Sequence, residues 1–336
     1  MTPEEKASTL RLLQELARSP HPGAHHAVAA WHGSHPWNDV QGESAIDTIR
    51  AELRRALPDL ERRDLIFVAG PCHSDLRVAP DPAGRMLVAT MGHYQGTFAA
   101  DLCGIPANHG LVHLRFAEVH RIESGKIAES WCLWDLLDLM RQAGCWPLMP
   151  SLGVEGLWPG PQGQDGLRLG PPEDGTPAFA TVMAMHASLG AFDGQSVTSM
   201  PQAPFWHPDF LWYGPAGIGQ TRGLAGFQAH HQIPFLRGYP DRRGVGHFVR
   251  VSDGPYVVTG GWPSVVGTHS GEWLGLPPTG RKIMMRVMDF YRLDGAVIHE
   301  NWVPIDILHI LMQMGTDVLA RLRHLRGQPD RDLHRS

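Results

Sequence analysis

Residues 96–144 read GTFAADLCGIPANHGLVHLRFAEVHRIESGKIAESWCLWDLLDLMRQAG, and residues 267–315 read GTHSGEWLGLPPTGRKIMMRVMDFYRLDGAVIHENWVPIDILHILMQMG. The two stretches align without a gap, and 13 of their 49 positions are identical, including Trp131 with Trp302 and Asp135 with Asp306. Chance matching of common residues gives only a few identities over this length. The chain therefore contains two copies of one domain. This repeat constrains the overall architecture more strongly than any local sequence pattern.

A segment rich in proline and glycine separates the two copies. Residues 147–177 contain seven prolines and seven glycines in 31 positions, and these residue types disfavour both helices and strands. We predict a first domain at residues 1–146, a linker at 147–177 and a second domain at 178–325. The linker is long for a simple connection, so we expect it to lie along the surface of one domain.

Composition and charge narrow the class of partner. Hydrophobic residues make up 43% of the chain and charged residues 19%, with a net charge of −5 and no cluster of Lys or Arg, so neither nucleic acid nor a membrane surface is indicated. No apolar run is long enough to span a membrane, and the N-terminal residues do not resemble a signal peptide. The four cysteines lie in the first half without Cys-x-x-Cys spacing, which favours reduced thiols and a cytoplasmic protein.

Each copy is predicted to place helices before strands. Helical patterns fall at about 4–33 and 43–57 in the first copy and at about 178–192 and 223–237 in the second. Alternating segments bounded by Gly and Pro indicate strands at 85–95, 111–122, 126–134, 256–262, 282–293 and 297–303. Short helices at 135–144 and 306–315 close the copies. This order is typical of an α+β fold with an antiparallel sheet.

Four motifs carry a family resemblance. GTFAADLCGIP (96–106) and HRIESGKIAESWCLWD (120–135), with GTHSGEWLGLPPTGRKI (267–283) and ENWVPID (300–306), resemble the SnoaL-like polyketide cyclase and ester cyclase branch of the NTF2-like superfamily. The resemblance implies two tandem cone domains, each a curved sheet wrapped around helices and an apolar pocket. It also implies a small-molecule substrate, no cofactor, and an internal pseudo-dimer of the two copies that could itself form a homo-oligomer.

The same resemblance implies catalytic residues. Its acid/base Asp at the end of the last strand falls on Asp135 and Asp306, and its His on the preceding strand falls on His120. The second copy has Tyr291 at the latter position but carries His269 where the first copy has Phe98, which makes His269 a further catalytic candidate.

Strand alternation adds candidates for substrate binding. Successive side chains of a strand point to opposite faces, so Trp131 shares a face with Asp135, and Trp302 with Glu300 and Asp306. Glu118 shares a face with His120, and Asp289 with Tyr291. If these faces line the cone, each pocket contains carboxylates beside an aromatic wall, an environment that raises a carboxyl pKa towards the range useful for acid/base work. The predicted substrate-binding residues are Glu118, Trp131, Asp289, Tyr291, Glu300 and Trp302.

Structural roles compete with these functional ones. Asp135 and Asp306 stand where a helix begins, and Asp is a favoured N-cap. Glu118 and Asp289 could instead form ion pairs with arginines of the same strands, namely Arg115, Arg121, Arg286 or Arg292. The 20 histidines show no established metal spacing, and the glycines form no phosphate loop, so no metal site is predicted.

Three functions therefore remain open from the sequence. The first is a cofactor-independent acid/base enzyme, an aldol-type cyclase or a related lyase or isomerase. The second is a small-molecule binding protein without catalysis. The third is a metal-dependent lyase or hydrolase in which scattered histidines converge.

Overall fold

A computed structural model describes residues 1–327. The first half contains α1 (Pro3–Arg18), β1 (His25–Gly33), β2 (Asp39–Gln41), α2 (Glu43–Ala56), β3 (Glu61–Pro71), β4 (Met86–Thr97), β5 (Leu111–Glu123), β6 (Lys126–Trp134) and α3 (Leu136–Gln142). The second half contains α4 (Thr176–Leu189), β7 (Trp206–Tyr213), β8 (Gln220–Arg222), α5 (Gly223–Phe227), α6 (Ile233–Gly238), β9 (Arg243–Gly244), β10 (Val249–Asp253), β11 (Tyr256–Thr268), β12 (Lys282–Asp294), β13 (Val297–Trp302), α7 (Ile307–Gln313) and α8 (Val318–Leu325).

The two halves share one sheet topology. The first sheet has the order β2-β1-β6-β5-β4-β3, and the second has the equivalent order β8-β7-β13-β12-β11-β10, with β9 paired to β11. Neighbouring strands are antiparallel except for β1 with β6 and β7 with β13, which are parallel. The α+β class and the tandem arrangement predicted from the repeat are therefore confirmed, although each sheet is mixed rather than purely antiparallel.

One predicted helix was too long. The pattern at 4–33 suggested a single helix, but α1 ends at Arg18 and residues 25–33 form β1. Pro20 and Pro22 cannot continue a helix because they lack the backbone donor and clash with the preceding turn. The chain after them satisfies its backbone groups by pairing with β6 instead.

Each sheet has two different faces. On the face that we call the helix face, Tyr94, Phe116 and Trp134 pack against α2 residues such as Ile49 and Leu53. On the opposite face, which we call the inter-sheet face, the two sheets contribute to one apolar cluster. Its largest members are Phe290, Trp131, Trp158, Trp302, Tyr213 and Tyr256.

The linker has no helix between α3 and α4. The expectation that it lies along the surface of one domain was wrong, because it contacts both halves. Phe67 N donates to Gly166 O at 2.9 Å, and Val154 N donates to Gln220 O at 2.9 Å. Trp158 is fully buried in the cluster between the sheets. The domain boundaries at 146 and 178 stay a prediction from the sequence. None of the helices within residues 1–327 combines the length and apolar character that a membrane crossing requires.

Candidate active site

The helix face of the first sheet contains a closed network around Glu118. The Glu118 carboxylate accepts from Arg62 Nη1 at 2.7 Å, from the Tyr94 hydroxyl at 2.7 Å and from Trp134 Nε1 at 3.0 Å. His120 Nε2 lies 3.3 Å from the same carboxylate. The side chains of Arg62, Glu118 and His120 have no solvent exposure.

Electrostatics keeps this carboxylate ionised. Burial alone works to raise the pKa of Glu118, but the guanidinium of Arg62 and the neighbouring His120 outweigh it and hold the pKa well below its usual range. Burial is also the main reason that the pKa of His120 is lowered. A carboxylate that is saturated with donors and fully buried is poorly placed to exchange a proton with a substrate.

Asp289 occupies the equivalent position in the second sheet without those donors. Register pairs Glu118 with Thr90 on β4, and it pairs Asp289 with Thr259 on β11. Arg62, Tyr94 and Trp134 are replaced by residues that cannot donate from a side chain, whereas the equivalent of His120 is Tyr291, which can. Gly244, Val265 and Ile305 stand in the second domain where Arg62, Tyr94 and Trp134 stand in the first.

The loss of those donors changes the ionisation of Asp289. Burial raises the pKa of Asp289 to about 7, and within residues 1–327 no arginine or lysine acts to lower it. Asp289 is half-buried as a residue, whereas the Glu118 side chain is fully buried. A carboxyl group whose pKa lies near neutrality is suited to general acid/base work.

Three further side chains complete this group. The Tyr291 hydroxyl lies close enough to Asp289 to influence its ionisation, and it is 2.9 Å from His186 Nε2 on α4. Burial lowers the pKa of His186 to about 4, so its ring is neutral at physiological pH. Thr259 is fully buried, and its hydroxyl lies close enough to the Tyr291 hydroxyl to lower the pKa of that group. A buried hydroxyl that is paired across the strands with Asp289 adds a polar group to this site.

Asp135 and Asp306, the predicted catalytic pair, lie elsewhere and have structural contacts. Asp135 caps α3 by accepting from Asp138 N at 3.0 Å, and Asp306 caps α7 by accepting from His309 N at 3.1 Å. Each also accepts from the other half of the chain, Asp135 from Ala216 N at 3.0 Å and Asp306 from His35 N at 2.9 Å. These contacts support the capping interpretation.

Two of the four strand arginines pair with these aspartates rather than with Glu118 or Asp289. Arg115 lies 3.1 Å from Asp135, and Arg286 lies 3.2 Å from Asp306. Burial raises the pKa of both aspartates to about 6, and the two arginines oppose the shift. The other two arginines pair on the inter-sheet side, Arg121 with Glu129 and Arg292 with Glu300.

The tryptophans predicted to bind substrate face the other way. Trp131 and Trp302 belong to the cluster between the sheets, where Trp131 packs on Phe248 and Trp302 stacks on Tyr213. Glu300 lies on the same side, accepts from Gln162 N and borders a surface cleft of about 480 Å³. The expectation that these residues share a pocket with Glu118 or Asp289 was wrong, because the helices cover the opposite face of each strand.

His269 is separate from the Asp289 group. It is buried in the loop after β11, where its Nδ1 lies 3.1 Å from the Thr279 hydroxyl and its ring contacts Tyr239. This placement matches a role in holding the loop. Within residues 1–327, no group of three or more His, Cys, Asp or Glu side chains has a geometry that could hold a metal ion.

Sequence reasoning missed His186 and Thr259. Thr259 lies on β11, upstream of the stretch that aligns without gaps. A bulge between Gly261 and Val265 shifts the register of β11 there, so the constant offset between the copies does not extend to Thr259. His186 lies on α4. The sequence pattern that could have identified it is the helical spacing that puts Phe179, Met183 and His186 on one face of this helix.

With this fold and site, the molecule is a tandem protein of the NTF2-like class, in which each curved sheet covers helices and a group of polar side chains. The sequence profile of the SnoaL-like polyketide cyclase family matches residues 82–143 and 189–314, more than half of the chain. The chain therefore belongs to the SnoaL-like polyketide cyclase family. No protein of curated function matches it significantly in sequence.

Three solved structures illustrate the similarity of single domains. A candidate SnoaL-like polyketide cyclase from Jannaschia sp. CCS1 is 19% identical, and the match covers 42% of this chain and 92% of that chain with a TM-score of 0.36. IdmH from Streptomyces antibioticus, a candidate polyketide cyclase, is 26% identical over 40% of this chain and 98% of that chain, with a TM-score of 0.32. AclR from Streptomyces galilaeus, a candidate hydroxylase, is 19% identical over 42% and 98%, with a TM-score of 0.35.

Proposed function

We propose that this protein is an acid/base enzyme that acts on a small organic substrate at the helix face of its second domain. Asp289 is the group that moves the proton, and Tyr291 is the hydrogen-bond donor beside it. The observation that carries the proposal is the contrast between two equivalent carboxylates. Glu118 is ionised, paired with Arg62 and fully buried, whereas Asp289 has no cationic partner among the described residues, has a pKa near 7 and is a half-buried residue.

The proposed chemistry begins with removal of a proton beside a carbonyl group. The Asp289 carboxylate takes the proton from carbon, and the electron pair of that C–H bond moves onto the carbonyl oxygen to form an enolate. The Tyr291 hydroxyl donates a hydrogen bond to the enolate oxygen and stabilises the charge that develops there. A pKa near 7 lets the same group accept and return a proton at neutral pH.

Ring closure by an aldol step would follow within the same molecule. The enolate carbon forms a bond to a second carbonyl carbon of the substrate, and the protonated Asp289 returns its proton to the resulting alkoxide. Atoms and charge balance without a cofactor. Membership of the SnoaL-like polyketide cyclase family supports this reaction over the related isomerisation or elimination, which use the same first step.

The first domain has a structural role in this proposal. Its equivalent carboxylate is saturated with donors, so the first domain supports the second rather than repeating its chemistry. The duplication has then produced one catalytic domain and one that stabilises it.

The test measures exchange of an acidic C–H proton for deuterium. An aromatic 1,3-keto ester in D2O serves as the probe, and NMR follows loss of its α-proton. We expect the wild-type protein to accelerate exchange and Asp289→Asn to lose about 100-fold or more of this acceleration. Because the base must be ionised, the rate should rise with pH up to about 7 and level off above it.

The matched control is Asp294→Asn, which changes an exposed carboxylate on the same strand. It should exchange the probe at the wild-type rate. Exchange by Asp289→Asn at the wild-type rate would overturn the proposal. A wild-type protein that binds the probe tightly without accelerating exchange would instead favour the small-molecule binding protein.

A further inference from the structure

The loop at residues 72–85 leaves the first domain and packs against the second. It joins β3 to β4, whereas the equivalent connection between β10 and β11 consists of residues 254–255. His73 N donates to Arg250 O at 2.7 Å, and His73 Nε2 lies 3.0 Å from the Ser252 hydroxyl. Cys72 Sγ lies 3.3 Å from Phe248 O. The loop thus runs along the outer edge of β10, which is an edge strand of the second sheet.

Asp75 is the anchor of this loop. Its carboxylate accepts from the backbone N–H of His247 at 2.8 Å and lies 2.7 Å from Arg250 and 2.8 Å from Arg77. Its side chain is 3% exposed. Burial opposes its ionisation, but Arg77, Arg250 and the His247 amide together hold the pKa of Asp75 far below its usual value. The anchor is therefore ionised at every physiological pH.

From Asp75 the contacts continue to the Asp289 group. The His247 ring, fixed by the Ser264 hydroxyl at 2.7 Å, packs edge-on against His186 with ring centroids 5.4 Å apart. His186 in turn bonds to the Tyr291 hydroxyl at 2.9 Å. Asp75 reaches His247 through the His247 backbone N–H, and the remaining steps are direct contacts between buried or half-buried side chains.

A second contact reaches the same helix. The His73 ring stacks on Phe179 with ring centroids 3.9 Å apart and an interplanar angle of 14°. Phe179 lies two turns before His186 on α4, so both side chains are on one face of the helix. The loop therefore contacts this face of α4 directly at Phe179 and, through His247, at His186.

We propose that the 72–85 loop of the first domain is part of the active site of the second, with Asp75 and His73 as positioning residues for the His186–Tyr291 pair. This inference rests on the proposed function of Asp289. It explains why the first domain has a long β3–β4 loop that its counterpart lacks. It also means that the second domain needs the first for correct site geometry, not only for stability.

The experiment compares full-length variants by two independent measurements. The first is the ¹⁵N NMR signal of the His186 ring, which reports its bond to Tyr291 and needs no substrate. The second is the deuterium-exchange rate of the keto ester probe. We expect Asp75→Ala to shift the His186 ring signals and to lower kcat about tenfold with little change in KM, because a displaced catalytic group loses rate more than binding.

His73→Ala provides a second route to the same loss. It removes the stack on Phe179 but leaves Asp75 anchored, so it keeps the test decisive if Asp75→Ala fails to fold. The control is Leu76→Ala, because Leu76 is in the same loop but is 89% exposed. It should change neither measurement.

Two outcomes separate the two proposals. Folded Asp75→Ala or His73→Ala with wild-type His186 signals would overturn the role of the loop. Wild-type exchange by Asp289→Asn would overturn the proposed function, while the His186 signals would still decide whether the loop positions that pair.

Discussion

At the scale of single residues, the two domains differ in the surroundings of one pair of equivalent carboxylates. Glu118 on β5 and Asp289 on β12 stand at equivalent positions of equivalent strands, each opposite a threonine. Three residue differences among their neighbours, at the positions of Arg62, Tyr94 and Trp134, change the ionisation of the two carboxyl groups. A buried carboxylate stays ionised only where hydrogen-bond donors and cations compensate for the water that it has lost. The sequence identified both residues as candidates, but only their surroundings separated a structural carboxylate from a reactive one.

The Glu118 network predicts a sharp contrast between adjacent arginines. Arg62→Ala should lower the free energy of unfolding by about 3–5 kcal/mol, because it leaves a buried carboxylate without its cation. Arg63→Ala should cost less than about 1 kcal/mol, since the Arg63 side chain is 59% exposed and pairs with Glu61 at the surface. Denaturant unfolding measures both, and equal losses would show that the network contributes little.

At the scale of secondary-structure elements, the short helices α3 and α7 connect the two domains through their caps. Their N-cap residues, Asp135 and Asp306, each use one carboxylate oxygen for the helix and the other for an N–H of the opposite domain. The repeat therefore preserves an Asp because two symmetric contacts need it. These two contacts explain why both copies have an Asp at this position, and they do not involve catalysis.

Substitution of these caps should affect stability rather than chemistry. Asp135→Ala should cost about 2–3 kcal/mol, because it removes a cap, the contact with Ala216 N and the partner of Arg115. Asp317→Ala is the matched control, since Asp317 caps α8 through Ala320 N, and its loss should cost about 1 kcal/mol. Exchange of the keto ester should stay at the wild-type rate in both variants. A folded, inactive Asp135→Ala would restore Asp135 as the catalytic candidate.

At the scale of the whole molecule, the two sheets share one apolar cluster. Residues such as Trp131, Met288, Phe290 and Trp302 are buried on the inter-sheet face. A further buried ion pair joins Lys6 of α1 to Asp253 of β10 at 2.7 Å. These contacts support the internal pseudo-dimer, which stays a prediction until the halves are separated.

Separated halves should associate through this face. We expect fragments 1–174 and 175–336, which leave α4 intact, to co-purify as a one-to-one complex, because each alone exposes a large apolar surface. Phe290→Asp should abolish the association, whereas Met284→Asp, a change at a 47% exposed residue of the same strand, should not. Light scattering of the purified fragments gives the stoichiometry, and halves that stay folded and monomeric would contradict the pseudo-dimer.

The sequence by itself determined the duplication, the α+β class and the family resemblance, because these depend on repeated residues and local periodicity. It also identified Asp289 and Tyr291 as neighbours on one strand face, since alternation is a local property. Its boundary for the first helix was wrong where parallel pairing with β6, a long-range contact, decided the outcome at residues 25–33.

Only the tertiary structure decided which face of each strand carries the site. Period-2 alternation says that two residues share a face but not which face the helices cover, so Trp131 and Trp302 were assigned to the wrong side. The structure also brought together residues distant in sequence, such as Asp75, His247, His186 and Tyr291. The ionisation of Glu118 and Asp289 also depends on the tertiary structure. Strand pairing places Arg62 beside Glu118, and within residues 1–327 it places no such cation beside Asp289.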